Sequence, residues 1–380
     1  MKTKSSDNYS ILKKVRTIMK STVYCRMGVL GQEVYRIELP WDGSTPDKEI
    51  VHIDGPFKNE PLLKYLKKTR GTAGGDIADL HYENGILTLE TVQFSNRSDF
   101  TLTIGETAYP KSSFDCFVTD GLDRFDSYTE GDVVYRLYSP ESTEPRPLLL
   151  HLHGGGTGGP KDQRDNEFQL TANYGPINIA MDYPEIYVLA PMAIENPFNP
   201  MAMGGLRKQS FDRDPDPSSG WSRDYLSKVI NIIRRMIREG KVDEKRVYVT
   251  GLSMGGAGCI RAMSVGADLF AAGAPVCPTM TRETFDMLRN TRMPVWVSSA
   301  YVDHTVYRHK YLTDAIIELK DKGHRNAHLT LFSPEELAKY DIGIIDNMPY
   351  EDLVVANHAS WVLTYHNEHG ILSWLFAQHK

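Results

Sequence analysis

Segments in the first third of the chain alternate between apolar and polar residues, which is the pattern of half-buried β-strands. The apolar residues that share a face in the two clearest segments are Tyr35, Ile37 and Leu39 in 34–39 and Phe100, Leu102 and Ile104 in 99–104. Between these segments, Glu83-Asn84-Gly85 is typical of a tight turn leading into another strand. The pattern predicts a small β-sandwich at residues 23–125, preceded by an N-terminal tail or helix at residues 1–22.

Beyond Gly131, strand-like and helical patterns alternate. Asp224–Arg238 has apolar residues at helical spacing, followed by Gly240 as a C-terminal stop, and Gly255–Ser264 and Ile371–Gln378 are shorter helix candidates. The predicted strands are Val133–Tyr138, Pro147–Leu152, Glu185–Ala190, Arg246–Thr250, Pro294–Ser298 and His328–Phe332. Strands separated by helices form a mostly parallel sheet flanked by helices, so we predict an α/β domain at residues 126–380.

Length and composition narrow the functional classes. A chain of 380 residues favours two domains, and its 41% hydrophobic and 24% charged residues exclude wholesale disorder. The net charge of −6 argues against a nucleic-acid partner, and no apolar run reaches the ~20 residues of a membrane span. Four scattered cysteines do not indicate a disulfide framework or a zinc site. The basic start has no apolar signal core, so we expect a cytoplasmic protein, or a secreted one if a leader was removed.

One serine motif indicates hydrolytic chemistry. Gly251-Leu252-Ser253-Met254-Gly255 matches the Gly-X-Ser-X-Gly nucleophile elbow, in which the serine occupies a strained turn between a strand and a helix. The residues two before and two after the serine must be small, because larger side chains would collide across the turn. A β-branched strand precedes the motif and a helix candidate follows it, which is the context that the elbow requires. Ser253 is therefore the candidate nucleophile, and a glycine-rich turn without chemistry is the alternative.

A glycine cluster follows the strand that ends at Leu152. In hydrolases with this elbow, a sequence such as His153-Gly154-Gly155-Gly156 supplies a backbone N–H to the oxyanion hole. We expect the hole to combine an N–H near Gly155 with that of Met254. A phosphate-binding loop is the alternative, but the Gly-Lys-Ser/Thr pattern of such loops is not present here.

The serine needs a base, and the base needs a carboxylate that orients it. In the fold that uses this elbow, the chain order is serine, acid, histidine. Asp303 follows a late predicted strand, and His358 lies between the last strand and the final helix, so they are the candidate acid and base. The alternatives that stay open are Asp286, Asp314, Asp341, Asp346 and Asp352 for the acid and His304, His324, His328, His366 and His369 for the base.

Residues 130–380 resemble α/β-hydrolases of the esterase and prolyl-oligopeptidase-like superfamily, and among them bacterial predicted peptidases and polyhydroxybutyrate-depolymerase-like esterases. The stretches that carry the resemblance are 150–156, 188–191, 246–256, 294–297 and 358–361. The resemblance implies an α/β-hydrolase fold with Ser253 as nucleophile, Asp303 as acid and His358 as base. Some relatives have an N-terminal immunoglobulin-like domain, which implies that identity for residues 23–125. The usual Phe-His-Gly pattern before the acid is Ser298-Ser299-Ala300 here, so the packing beside Asp303 is expected to differ.

These observations predict a serine carboxylesterase that cleaves small-molecule esters (short-chain, acetyl or feruloyl-like) through an acyl-enzyme, without a metal or cofactor. Trp221, Tyr301 and Trp361 are candidate pocket walls, with aromatic core packing as the alternative. Residues 198–220 and 333–357 are candidate lid loops, and residues 23–125 are a candidate surface for homo-oligomers. Two further functions stay open: a serine peptidase acting on small peptides, and a catalytically weak hydrolase that serves as a binding or scaffold protein.

Overall fold

The computed structural model describes residues 19–29, 31–56, 74–96, 99–155, 167–193, 220–303, 306–340, 342 and 357–380, with the backbone alone at 306–309. The predicted tail or helix at residues 1–22 and the two candidate lid loops lie mostly outside these ranges.

The first third of the chain forms two sheets. The strands are β1 Thr22–Gly28, β2 Gly31–Pro40, β3 Val51–Asp54, β4 Ile77–Glu83, β5 Ile86–Ser95, β6 Thr101–Ile104, β7 Thr107–Pro110 and β8 Cys116–Thr119. One sheet has the order β4-β5-β2-β1-β8, with β1 and β8 parallel and the other pairs antiparallel. The other sheet is antiparallel, with the order β3-β6-β7. The predicted N-terminal β region is therefore present.

Side chains from both sheets meet in one core. Ile37 and Leu39 of β2 pack in the same cluster as Leu102 and Ile104 of β6, as the alternation predicts. Tyr35 differs from the prediction: it is half-buried, because the β2–β5 register shifts between residues 34 and 36 and the preceding valine enters the core instead. The immunoglobulin-like identity, the domain boundaries and oligomerisation through this region stay predictions.

The tight turn predicted before β5 joins two paired strands. Asn84 and Gly85 both have positive φ, at 53° and 84°, and they connect Glu83 of β4 directly to its partner Ile86 of β5. Two successive residues with positive φ are characteristic of type I′ hairpin turns, whose twist matches that of the strands. The Asn-Gly pair is thus the local signal that fixes this hairpin.

The rest of the chain builds an eight-stranded sheet with the order β16-β15-β14-β13-β11-β12-β10-β9. Its strands are β9 Phe125–Glu130, β10 Val133–Tyr138, β11 Arg146–Leu152, β12 Tyr187–Pro191, β13 Val242–Leu252, β14 Ala272–Val276, β15 Val295–Ala300 and β16 Ala327–Phe332. The pairs of β10 with β9 and with β12 are antiparallel, and the other pairs are parallel. This is the mostly parallel sheet that the sequence predicts.

Helices flank the sheet. They are α1 Phe168–Thr171, α2 Pro176–Asp182, α3 Arg223–Arg238, α4 Met254–Val265, α5 Arg282–Leu288, α6 Val306–Asp321, α7 Pro334–Ala338, α8 Trp361–Tyr365 and α9 Ile371–Ala377. The predicted long helix corresponds to α3, whose N-cap Ser222 accepts a hydrogen bond from the Tyr225 N–H and whose apolar face is buried. Within the described ranges, no helix combines the length and the apolar character that a membrane crossing requires.

The sheet is buried on both faces. Val247 and Val249 of β13 belong to the core that contains α3 and α4, whereas Tyr248 between them belongs to the core that contains α8 and α9. This double burial explains why the parallel strands are continuously apolar in sequence. The carboxyl ends of neighbouring parallel strands lie at one edge of the sheet, which is where ligand sites form in open α/β sheets.

Candidate active site

Ser253 forms a strained turn between β13 and α4. Its φ is 56° and its ψ is −114°, a combination that residues with side chains rarely adopt. The Ser253 N–H donates to the Val276 carbonyl at 2.9 Å, and the Ser253 carbonyl accepts from the N–H groups of Ala257 and Thr279 at 3.1 Å each. Helix formation on one side and the neighbouring strand on the other therefore hold the turn in place. Backbone strain of this kind occurs mostly at functional sites.

The motif's glycines leave no room for side chains. A Cβ on Gly251 would lie 2.8 Å from the Cβ of Leu152, and a Cβ on Gly255 would lie 2.6 Å from the carbonyl oxygen of His153. Because real Cβ atoms do not approach other atoms so closely, these glycines allow α4 to pack directly against the end of β11. The glycines of the motif thus mark the place where α4 and the end of β11 approach each other closely.

Ser253, His358 and Asp303 form one hydrogen-bonded chain. The Nε2 atom of His358 lies 2.9 Å from the Ser253 Oγ, and its Nδ1 atom lies 3.0 and 3.1 Å from the two Asp303 carboxylate oxygens. With the proton on Nδ1, the ring donates to the carboxylate and leaves Nε2 as the acceptor for the serine hydroxyl. The Asp303 side chain is fully buried, and the His358 side chain is 18% exposed. The arrangement can transfer a proton from the serine to the ring.

The two serines before Asp303 make hydrogen bonds beside the site. The Ser299 hydroxyl donates to an Asp303 carboxylate oxygen at 3.3 Å, and the Ser298 hydroxyl is 2.8 Å from the Thr364 hydroxyl. A buried carboxylate needs such partners, because leaving it without hydrogen bonds costs free energy. The serines are visible in the sequence, but the contact of Ser299 with Asp303 was not predicted from it.

His358 begins a short 3₁₀ helix, His358–Ser360, that leads into α8. The ring of Trp361 contacts the imidazole edge-on, with centroids 5.6 Å apart and an interplanar angle of 88°. Trp361 itself is only 7% exposed, so it packs beside the histidine as part of the core. Its position limits the orientations available to the ring.

Gly155 lies beside Met254, the residue that follows the serine. A Cβ on Gly155 would be 3.2 Å from the Met254 Sδ and 3.5 Å from its Cβ. His153 stabilises the glycine segment, which is Gly154 and Gly155. Its Nδ1–H donates to the Gly154 carbonyl at 2.8 Å, and its Nε2 accepts from the Ala193 N–H at 3.0 Å. This role of His153 was not predicted, and the sequence signal for it is a histidine directly before the glycines.

The two remaining aromatic candidates lie in different environments. Trp221 is 1% exposed, its Nε1–H donates to the His153 carbonyl at 2.9 Å, and a Cβ on Gly258 would touch its ring. This placement matches the core-packing interpretation and makes Trp221 a support for the glycine segment. Tyr301 follows β15 and is 55% exposed, so its predicted role as a pocket wall stays open.

Most of the competing candidates for the acid and the base contact residues away from Ser253. Asp286 pairs with Arg289, Asp314 with Lys310 and His369 with Glu336. The other described candidates for the base contact the Met293 carbonyl (His324), Trp296 and Trp374 (His328), and Tyr174 and Tyr340 (His366). Four further candidates, Asp341, Asp346, Asp352 and His304, lie outside the described residues. Asp303 is the predicted acid that reaches the predicted base.

His151, at the end of β11, is a buried base. Burial is the main cause that lowers the pKa of His151 from 6.5 to about 3, and the nearby His153 lowers it further. Burial also lowers the pKa of His153, to about 4. Neither ring nitrogen of His151 has a hydrogen-bond partner among the described residues, and the ring packs 5.3 Å from that of Tyr365. Between these pKa values and 6.5, these two histidines bind more protons in the unfolded chain than in the folded protein. Their contribution to the free energy of unfolding therefore falls as pH is lowered through this window.

We expect His151→Phe to weaken this pH dependence, because phenylalanine keeps the ring contact with Tyr365 and binds no proton. The slope of unfolding free energy against pH should fall by up to about 1.4 kcal/mol per pH unit between about pH 6 and pH 4. Urea unfolding at a series of pH values measures the slope. His52→Gln, at an exposed position on β3, is the control. An unchanged slope in His151→Phe would show that His151 does not cause the acid sensitivity.

One group of metal-ligating side chains is close enough to share an ion in the described part of the chain. It consists of Cys277, Asp303 and His358, whose ligand atoms all lie within 4.8 Å of one another. Two of its members belong to the hydrogen-bonded chain described above.

Comparison with known proteins supports the fold. No protein-family model matches the chain. The chain is 30% identical over 140 residues to a bifunctional acetylxylan esterase/xylanase from Neocallimastix patriciarum, a match that covers 37% of this chain and 17% of the relative. The crystal structure of a thermostable esterase superposes with a TM-score of 0.65 at 20% identity, covering 96% of this chain and all of that one.

The superposition extends over both the N-terminal sheets and the eight-stranded sheet, since it covers nearly the whole chain. The mostly parallel sheet with flanking helices and the strained serine turn after β13 are typical of the α/β-hydrolase fold as well. The chain therefore has the α/β-hydrolase fold, with a β region before it, as the sequence predicts.

Proposed function

We propose that the protein is a serine carboxylesterase that cleaves its substrate through an acyl-enzyme. The observation that carries the proposal is the continuous chain of contacts from the Ser253 Oγ through His358 to Asp303, with distances of 2.9 Å and 3.0–3.1 Å. Each distance is within hydrogen-bond reach for proton transfer. A nucleophile, a base and an orienting acid at these separations form the constellation of serine hydrolases.

In this mechanism, the Ser253 oxygen attacks the ester carbonyl while Nε2 of His358 takes the hydroxyl proton. The imidazolium that forms is stabilised by the buried Asp303 carboxylate, which also keeps the proton on Nδ1. His358 then gives the proton to the leaving alcohol. Water activated by the same ring releases the acyl group, and Ser253 recovers its proton.

The developing oxyanion is proposed to bind to the backbone N–H groups of Met254 and Gly155. Met254 is the first residue of α4, so its N–H lies at the positive end of a twelve-residue helix. The closeness of Gly155 to Met254 supports a shared site. Each well-placed donor typically contributes about 3–4 kcal/mol to transition-state stabilisation. The hydrogen bond from the His153 side chain to the Gly154 carbonyl supports the role of Gly155 as a donor, because it fixes the backbone just before that residue.

For the substrate, we propose acetyl and other short-chain esters, including those of carbohydrates. The support is the 140-residue match to a relative named as a bifunctional acetylxylan esterase/xylanase. Feruloyl-like esters are the second substrate class that the sequence predicts. The proposed chemistry is the same for both, so the acyl pocket decides between them.

Hydrolysis of a p-nitrophenyl ester series tests the proposal. We expect the highest kcat/KM for the acetate, with lower values for the butyrate and octanoate, and acetate release from acetylated xylan. Methyl ferulate and a peptide p-nitroanilide should be included, because turnover of either one alone would favour a feruloyl esterase or a peptidase. A folded protein that cleaves none of these compounds would contradict the esterase and favour a binding role.

A further inference from the structure

Cys277 is a buried thiol beside the proposed catalytic residues. It follows β14, its side chain is inaccessible, and its N–H donates to the Ser298 carbonyl at 2.7 Å. Its φ of 35° turns the backbone out of the strand direction immediately after β14. Its Sγ, a carboxylate oxygen of Asp303 and a ring nitrogen of His358 lie within 4.8 Å of one another. The proposed mechanism uses two of these groups and gives the thiol no role.

We propose that Cys277, Asp303 and His358 form an inhibitory site for a thiophilic divalent cation, of which Zn²⁺ fits best. The inhibitory consequence rests on the proposed function, whereas the binding itself does not. A thiolate, a carboxylate and an imidazole are three of the ligand types that Zn²⁺ takes in proteins. Three protein ligands leave the fourth tetrahedral position for water.

The separations suit this ion after a small adjustment. Metal–ligand bonds of about 2.0–2.3 Å at a tetrahedral angle put ligand atoms about 3.3–3.7 Å apart. The Asp303 oxygens are 3.0 and 3.1 Å from Nδ1 of His358, so this pair has to open by a few tenths of an ångström. The thiol has to approach by up to about 1.3 Å, given the 4.8 Å limit on the cluster. The ion can enter beside His358, whose side chain is 18% exposed.

The charges also balance. Zn²⁺ carries two positive charges, and the Cys277 thiolate and the Asp303 carboxylate carry one negative charge each, so the loaded site is neutral. Neutrality matters because both acidic ligands are buried, and an uncompensated charge there would be costly. Binding releases the thiol proton to solvent, while the ring proton of His358 moves from Nδ1 to Nε2. One proton leaves for each ion bound.

The ring proton explains the inhibition. In the proposed mechanism, Nε2 of His358 is unprotonated and accepts the Ser253 proton across 2.9 Å. When Zn²⁺ occupies Nδ1, the neutral ring carries its proton on Nε2 and can no longer act as the base. At the same time, the Asp303 carboxylate binds the ion and no longer accepts a hydrogen bond from the ring. A single ion therefore takes both His358 and Asp303 out of the proposed mechanism without binding Ser253.

Inhibition by ZnCl₂ gives the first test. We expect reversible loss of p-nitrophenyl acetate turnover in the wild type, with recovery after EDTA. The half-inhibition concentration, measured relative to each variant's own metal-free rate, should rise at least about tenfold in Cys277→Ser and Cys277→Ala, because loss of even an outer-shell partner costs about 10–100-fold in affinity. Cys116→Ser, on β8 of the N-terminal sheet, is the matched control and should keep wild-type sensitivity.

Binding without activity gives the second test. Ser253 is not a ligand, so Ser253→Ala should still bind one Zn²⁺ per chain in equilibrium dialysis. With Co²⁺ as the probe, it should show a sulfur-to-cobalt charge-transfer band that disappears in Ser253→Ala/Cys277→Ser. This readout holds even if the protein hydrolyses no ester, so failure of the proposed function and failure of this site are distinguishable.

Two results would overturn the site. Equal inhibition of the wild type and both Cys277 variants would place the ion elsewhere on the protein. The absence of a thiolate–cobalt band in folded Ser253→Ala would show that Cys277 does not bind the ion. Circular dichroism of each variant establishes that it is folded before either result is used.

Discussion

Replacing Ser253 with alanine is expected to lower kcat for p-nitrophenyl acetate by about 10⁴-fold or more, with little change in KM. The hydroxyl is the only part of the side chain that the variant removes, so the strained turn and the glycine contacts around it are retained. Alanine at φ 56° is no more strained than serine, and the fold should be unaffected. What remains is the rate supported by binding and the proposed oxyanion donors, without a nucleophile.

Steady-state kinetics and active-serine labelling measure this effect. A fluorophosphonate should add to the wild type at the peptide containing Ser253 and leave Ser253→Ala unlabelled. Ser264→Ala, at an exposed position near the end of the same helix, is the matched control and should keep wild-type turnover. Substantial turnover or labelling in Ser253→Ala would mean that another residue is the nucleophile.

Asp303→Asn is expected to lower kcat by about 10⁴-fold while the protein stays folded. The carboxylate accepts from Nδ1 of His358 at 3.0 and 3.1 Å, and it is fully buried. An asparagine amide has nearly the same shape, but its NH₂ group donates to Nδ1 and leaves the ring proton on Nε2. The ring is then in the wrong tautomer to take the serine proton, although its position hardly changes.

The double variant sharpens this prediction. If Asp303 acts only through His358 on Ser253, then Ser253→Ala/Asp303→Asn should have the same residual rate as Ser253→Ala, because residues that act as one unit are not additive. Asp286→Asn, which changes a half-exposed carboxylate paired with Arg289, is the control and should stay within a factor of about two of the wild type. A kcat for Asp303→Asn within tenfold of the wild type would contradict the assigned role.

Much of the architecture follows from local sequence patterns. The alternation of strands and helices after residue 131 predicts the mostly parallel sheet, and the Asn84-Gly85 pair predicts the tight turn that leads into β5. The pentapeptide at 251–255 predicts a strand, a strained turn and a helix, which are β13, Ser253 and α4. These features depend on residues that are neighbours in sequence, so their cause is visible in the chain itself. The misplaced Tyr35 marks the limit, since its register shift depends on pairing with β5.

Chain order identified the candidate acid and base, but only the tertiary structure decided their contacts. Asp303 and His358 are 55 residues apart, and Ser253 and His358 are 105 residues apart. The supports around them were less visible still: Ser299 beside Asp303, Trp221 under the glycine segment, and Cys277 beside His358. No local pattern specifies such contacts, because they form only when the ends of β11, β13, β14 and β15 are aligned by the pairing of the sheet. The sequence by itself thus determined the elements and the candidate nucleophile, acid and base, whereas sheet register and burial determined which side chains surround them.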